Sequence, residues 1–393
     1  DGRGGVTLDG SSTVVLDIRA TDSGDPLRGI RVRVPGAESG EIFRAEYLAQ
    51  LQPYDVLRFM DWQRTNSTLS DPERRFTCGS RVRGNHYSQG TSRGASAEAM
   101  VDLANELDAD PWFTIPHEAT STWVSCHARV VAQRLEPGLT PRYEFSNETW
   151  NPTFRAFRDL SDAAREAGLG GGDEFLGLQI LHARRHVAAM RAVGRVMDAQ
   201  VIGGAGREYV RVMAGQAANA WVLEQRLTHA DAADSADEIA IAPYLGMPGA
   251  NPYDPGEAAQ IAARTPSQIL AALGRAQVEE VEPWITAHVG LARSFGKRLV
   301  AYEAGQHLAG DPDNDALTDL FVSVNRSAGM GAAYRTYLRR WAEITDGALL
   351  VHFTDVGPYT GYGSWGALEF PEQDGSPKYD ELLRYAGAQR STG

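Results

Sequence analysis

The strongest constraint on how this chain can fold is an alternation of short apolar, β-branched runs with amphipathic stretches whose apolar residues recur three and four apart. Strand-like runs occur at 29–34, 55–59, 111–115, 142–145, 209–214, 238–243, 298–302 and 348–353. Helix-like stretches lie between them, including 97–107 and a long run over 175–201 that follows a glycine cluster at 168–172. That order implies βα units and a parallel sheet. Eight such strands are the number that closes a barrel. The expected fold class is therefore α/β, a (β/α)8 TIM barrel over residues 25–393, with residues 1–24 as a β-hairpin appendage built on the runs 6–8 and 13–18. An open doubly wound sheet would need a phosphate-binding glycine turn after an early strand, and Gly203-Gly204-Ala205-Gly206 comes too late.

Composition narrows the partners. With 42% hydrophobic residues the chain can fill a large core, and its net charge of −13 repels phosphate backbones and anionic lipid. Nucleic acid and membrane are thus not expected partners, and no run reaches the ~18 apolar residues of a membrane span. The chain starts at Asp1 without an initiator Met. It reads as a trimmed mature protein or a piece of a longer one with further domains. Cys78 and Cys126 form no metal-binding spacing. They make one bridge if their loops meet, or remain two free thiols. The long polar connection 64–94 follows the second strand and, by its length, reads as functional. The small polar tail 386–393 is expected to fray.

Two strand ends carry the chemistry. Arg142-Tyr-Glu-Phe-Ser-Asn-Glu-Thr-Trp-Asn151 runs from a strand into Asn147-Glu148, and Leu299-Val-Ala-Tyr-Glu-Ala-Gly-Gln-His307 puts Glu303 at a matching point. Barrels place active sites at the C-terminal ends of their strands. Glycosidic cleavage needs two carboxyls there, one protonated and one ionised, about 5–5.5 Å apart when configuration is retained. A single strand-end glutamate is most often a loop ion-pair residue. Two in matching contexts, one beside Asn, point to a catalytic pair.

Asn-Glu closing strand four and Glu closing strand seven resemble clan A of the glycoside hydrolases, retaining enzymes on (β/α)8 barrels. The resemblance runs from about residue 26 to 386. Within the clan the chain resembles a bacterial set, labelled cellulose-binding or glycan-active, that carries strings like Val56-Leu-Arg-Phe-Met-Asp-Trp62, Pro111-Trp-Phe-Thr-Ile-Pro-His117 and Glu144-Phe-Ser-Asn-Glu-Thr-Trp-Asn151. The resemblance implies Glu148 as general acid/base, Glu303 as nucleophile and Asn147 as partner of the sugar 2-hydroxyl. It further implies that Arg58 keeps Glu303 ionised, that Tyr244 orients it, that His117 lines the cleaved-sugar subsite, and that Trp365 stacks on sugar. Asp61, Trp62, Trp150 and His307 complete the candidate substrate-binding set. Trp365 departs from the clan pattern, lying well beyond the strand reading Leu349-Leu-Val-His-Phe-Thr-Asp355. Trp112, inside the third strand, reads as core.

The expected function is cleavage of a neutral, β-linked polysaccharide or oligosaccharide by double displacement, without cofactor or metal, in a secreted or cell-surface protein of bacterial origin. The alternatives are a non-catalytic glycan-binding barrel and a clan A enzyme acting on a furanose polymer such as an arabinan or galactan. A metal-dependent barrel hydrolase is disfavoured because no early strand carries His-x-His.

Overall fold

Apolar strand runs become parallel strands because each is covered on one face by the helix that follows it. The structure is a computed structural model that describes residues 19–28, 41–66, 76–199 and 207–392. Residues Ala45–Gly393 form one compact unit and Asp1–Arg44 another. The runs at 6–8, 13–18 and 29–34 lie outside the described residues.

The larger unit is the expected (β/α) barrel. Its strands β1 (Val56–Arg58), β2 (Asp110–Ile115), β3 (Arg142–Phe145), β4 (Val210–Ala214), β5 (Glu238–Ile241) and β7 (Arg298–Ala301) form a six-stranded sheet in the order β1-β2-β3-β4-β5-β7. Every neighbouring pair is parallel. The strand position expected at 348–353 continues this sheet: Ala301 bonds to the Leu349 carbonyl (2.9 Å) and Val351 to the Ala301 carbonyl (3.0 Å). A short parallel pair, β6 (Leu245–Gly246) and β8 (Gln306–His307), joins the loops above β5 and β7.

Helices α1 (Ala45–Leu51), α2 (Ala97–Leu107) and α3 (Ser121–Arg134) follow the early strand order, with α4 (Arg155–Glu166) and α5 (Glu174–Met197) both between β3 and β4. The glycine cluster forms the 3-10 turn between α4 and α5, so that crossover holds two helices, as its punctuation implies. The helix starts are capped by their own sequence. Ser96, Thr120 and Asp173 each accept a backbone N–H of the first turn.

The period-two alternation of the strands sorts their side chains into two layers. Met213, Ile239, Ile241, Leu299 and Ala301 face the helices. Trp112, Val212, Ala214, Ala240, Val300 and Tyr302 pack together in a separate cluster inside the sheet's curve. At the other end of the strands Arg142 bonds to Asp110 (2.8 Å) and Arg298 to Glu238 (2.8 Å), and Arg142 reaches Glu238 at 3.4 Å. These pairs tie strand starts together and leave the strand ends free for chemistry.

Two sequence expectations are settled here. The tail is helical instead of frayed: a C-terminal helix spans Pro377–Thr392, and Arg390 anchors it to Asp55 (2.8 Å) and to the Gln52 carbonyl (3.2 Å). Cys78 and Cys126 form a disulfide that clips the connection after β1 to α3.

The bridge closes a loop of 48 residues, a constraint worth roughly 2–4 kcal/mol through the unfolded state. Cys78→Ser, Cys126→Ser and the double variant should all lose this amount in urea unfolding, with no further loss in the double variant. Additive losses would mean that the two residues act separately.

Candidate active site

The site is built around one guanidinium. Arg58 ends β1 and its side chain is only 3% exposed. Its Nε and Nη2 donate to Glu144 (3.0 and 2.9 Å), Nη1 donates to Glu303 Oε1 (2.7 Å), and Nη2 also reaches Asn147 Oδ1 (2.8 Å). The planar fork thus reaches β3, the loop above it and the end of β7 at once, which a point-like ammonium could not do. Burial works against the charge of Arg58, but Glu144 and Glu303 outweigh it and hold the guanidinium above its ordinary range.

Glu303 lies just past β7 and is 6% exposed. Its second oxygen accepts from the Tyr244 hydroxyl (2.9 Å). Both oxygens therefore face donors that favour the carboxylate, and one donor is charged. Burial still raises its pKa, while Arg58 and Tyr244 pull it back.

Glu148 is held differently. Its Oε1 accepts from the Tyr302 hydroxyl (2.9 Å) and its Oε2 from Asn151 Nδ2 (2.8 Å), both neutral donors. Burial, and then the negative charge of Glu303, push its pKa up to about 7. Glu148 therefore feels the charge of Glu303, and of the two carboxyls one is tied to a cation and one is not. Around Glu148 the backbone is left-handed at Ser146 (φ 62°) and at Glu148 itself (φ 41°). Non-glycine residues take this conformation at a cost of about 1–2 kcal/mol each. The adjoining Thr149 is locked beneath, its hydroxyl accepting from Arg226 (2.9 Å) and bonding to His182 (2.7 Å). Arg226, fully buried, also donates to the Ala214 carbonyl and to Gln179 (2.5 and 2.8 Å).

The other candidate residues divide. Tyr244, His307 and Trp365 form an aromatic cluster, with Trp365 4.7 Å from His307 and 5.6 Å from Tyr244 between ring centroids. The loop thus brings Trp365 back to the residue that orients Glu303. Asp61 and Trp62 line the same cavity as Arg58, Tyr302 and Glu303. The charge of Asp61 raises the pKa of Glu303, and Trp62 packs on Phe59 (5.4 Å). Asn147 accepts from Arg58 and donates to Asn66 (3.3 Å). His117 is buried with its Nε2 3.0 Å from Asp159 of α4, so its recorded bond runs to a helix and not to either glutamate. Trp150 is half-buried beside the Glu148 loop. His117, Glu118 and Asp159 come close enough to share a cation. Arg155 already pairs with both carboxylates of that group, 3.0 Å from Asp159 and 3.9 Å from Glu118.

Sequence reasoning missed four participants. Glu144 is fully buried and takes Arg58 together with the Trp112 indole N–H (2.9 Å). Trp112 is core as expected, and is also a donor. Tyr302, Asn151 and Arg226 were not singled out. The signal for Glu144 and Tyr302 was present: period two places Glu144 inward from Arg142, and Tyr302 inward from Val300.

No family model matches the chain, and no curated protein does. Among solved structures it is similar to an endo-β-1,4-mannanase from Thermotoga petrophila, with 12% identity over 86% of this chain and 77% of that one, at a TM-score of 0.43. It is also similar to a family 1 β-glucosidase from Thermotoga maritima (13% identity, 88% and 86% covered, TM-score 0.44) and to GH10 from Paenibacillus barcinonensis (10%, 86% and 96%, 0.39). The chemistry of the site is read from its own geometry.

A carboxyl whose folded pKa stands above its unfolded value contributes stability below the unfolded value and loses it as pH rises through the folded one. Burial and the Glu303 charge place Glu148 in this class, with a folded value of about 7. Glu148→Gln should therefore raise unfolding free energy by roughly 1–3 kcal/mol at pH 8 and by less at pH 5. Equal effects at both pH values in chemical denaturation would contradict the assignment.

Proposed function

We propose that this chain is a retaining glycoside hydrolase, with Glu148 as general acid/base and Glu303 as nucleophile. The observation that carries the reading is the asymmetry of the two carboxyls, Glu303 buried and Glu148 half-buried. Glu303 is bonded to a guanidinium and a phenol, which suits an ionised nucleophile. Glu148 has only neutral donors and a pKa pushed up to about 7 by burial and by Glu303, which suits an acid that keeps its proton near neutrality.

In the first step a Glu303 oxygen attacks the anomeric carbon as the glycosidic C–O bond breaks, and the Glu148 proton passes to the leaving oxygen. The charge leaving Glu303 weakens the reason for Glu148 to stay protonated, so proton transfer and attack assist each other. In the second step Glu148 takes a proton from water, the water oxygen attacks the same carbon, and Glu303 leaves as carboxylate with configuration retained. Arg58 stays bonded to Glu144 throughout and holds Glu303 in place as it loses and regains charge.

A neutral, β-linked polysaccharide or oligosaccharide is the proposed substrate. The net charge of −13 disfavours an anionic polymer, and the Tyr244–His307–Trp365 cluster supplies rings against which sugar faces can stack. A secreted or cell-surface location is part of the same proposal, supported by the Cys78–Cys126 bridge, since such bonds persist in oxidising compartments.

The test is a panel of neutral polysaccharides and aryl glycosides, with products separated by chromatography and their anomeric configuration read by NMR. We expect Glu303→Gln to lower kcat on the order of 10⁴-fold or more. Glu148→Ala should retain activity on activated aryl glycosides and give a glycosyl azide of retained configuration when azide is added. For the wild type, kcat/KM should fall as pH rises through about 7, where Glu148 loses its proton. Binding of glycans without new reducing ends would replace this reading with that of a glycan-binding barrel, and wild-type rates in both variants would overturn the assignment of the two glutamates.

A further inference from the structure

Nothing in the two-carboxylate scheme says what aims Glu148. We propose that Tyr302 is the positioning residue of Glu148, holding its carboxyl toward the cavity and helping to set the pH at which it keeps its proton. The inference rests on the glycosidase reading of the site.

The geometry is specific. The Tyr302 hydroxyl donates to Glu148 Oε1 at 2.9 Å, and Asn151 Nδ2 donates to Oε2 at 2.8 Å. Asn151 belongs to the same loop as Glu148, three residues on, and travels with it. Tyr302 adjoins Glu303 at the end of β7. The phenol is therefore the direct tie between the acid/base and the strand that carries the nucleophile.

Tyr302 also has little freedom. It is fully buried, its ring lies 5.0 Å from the Arg58 guanidinium, and its backbone N–H bonds to the Ile241 carbonyl at 3.0 Å. Val300, two residues before it, faces the same inner cluster. One strand thus directs a tyrosine inward to hold one carboxyl, and the next residue supplies the other.

A phenol that donates to a carboxylate favours the ionised form. It opposes the burial and the Glu303 charge that push Glu148 up. Without it Glu148 would hold its proton to higher pH, and its carboxyl would be free to swing from the leaving oxygen. The acid would be stronger in occupancy and worse in aim.

Tyr302→Phe keeps the ring beside Arg58 and removes only the donor. We expect the alkaline limb of kcat/KM to move up by about 0.5–1 pH. We also expect kcat on glycosides with poor leaving groups to fall roughly 10–100-fold, with a much smaller loss on activated aryl glycosides that need little protonation. Equal losses on both substrates with an unmoved limb would leave Tyr302 a packing residue and overturn the proposal.

Should the phenylalanine variant fail to fold, difluorotyrosine at 302 keeps the hydroxyl and makes it a stronger donor. The limb should then move down, and an unmoved or raised limb overturns the proposal. Carbon-13 titration of the Glu148 carboxyl, assigned by its loss in Glu148→Gln, separates the two hypotheses. If the wild type cleaves no glycoside, the glycosidase reading falls. The link itself is then judged by whether Tyr302→Phe raises that titration, and an unchanged titration overturns it.

Discussion

A single buried guanidinium organises the ends of three strands. Arg58 reaches Glu144 inside β3, Asn147 in the loop above it and Glu303 past β7. Trp112 and Tyr302 flank it, with ring centroids 5.8 and 5.0 Å from the guanidinium carbon. A charge taken that far from water is tolerable only when its donors are met by acceptors of opposite charge. Glu144 meets that need from below with both oxygens; its own burial lifts its pKa to about 7, with Arg58 and the Trp112 N–H working against that rise. Glu303 is then free to be the upper partner, held in position without being the sole counter-charge. Breaking the lower pair would leave Arg58 dependent on Glu303 and pull that carboxylate out of service.

The Glu148 side of the cavity is secured by backbone and neutral contacts. The chain leaves β3 through two left-handed non-glycine residues, Ser146 and Glu148, which lift the Glu148 side chain over the rim. That backbone persists because the layer beneath fixes it: Thr149 is pinned by Arg226 and His182, and Arg226 by Gln179 and the Ala214 carbonyl at the end of β4. Burial lowers the pKa of Arg226 to about 9, so it remains a cation near neutrality. Strain at a functional position is thus held by a polar network that is itself closed.

Much of this was legible in the sequence, for identifiable reasons. Six of the apolar runs became strands to within a residue or two, because a strand packed in a covered sheet must be largely apolar; the run at 348–353 forms only an isolated bridge at Leu350, and 29–34 lies outside the described residues. Strand ends marked Arg58, Glu148 and Glu303 because barrel topology gathers those ends on one face. Period two would have marked Glu144 and Tyr302 as well, but a charge or a phenol inside a strand invites the reading of a solvent face. Trp365 reaches Tyr244 and His307 only through the path of its loop, which has no local signature. The bridge between Cys78 and Cys126 likewise depends on two segments meeting in space. The tail looked frayed because small polar residues say nothing of Arg390 finding Asp55 across the chain.

The roles proposed for the two glutamates are supported by the balance of charge around Arg58. Three carboxyls, those of Glu144, Glu148 and Glu303, share the site with Arg58, and Arg226 lies close enough to feel Glu144. With every group ionised these three carboxyls outnumber the two guanidiniums, and Asp61 adds further negative charge beside Glu303, which burial makes costly. A proton on one carboxyl relieves part of that cost. Glu144 has bidentate contact with Arg58, and Glu303 has Arg58 and Tyr244, so the ionised form of each is bonded to a cation, although burial raises Glu144 as well, to about 7. Glu148 has no cation against either oxygen and feels Glu303 as a repelling neighbour, with its value pushed up to about 7. The lack of a cation against its oxygens, more than its raised value, is what favours Glu148 as the proposed carrier of the proton. In the proposed mechanism, once charge leaves Glu303 for a bond to carbon, less negative charge remains to hold that proton, and it can follow the departing oxygen.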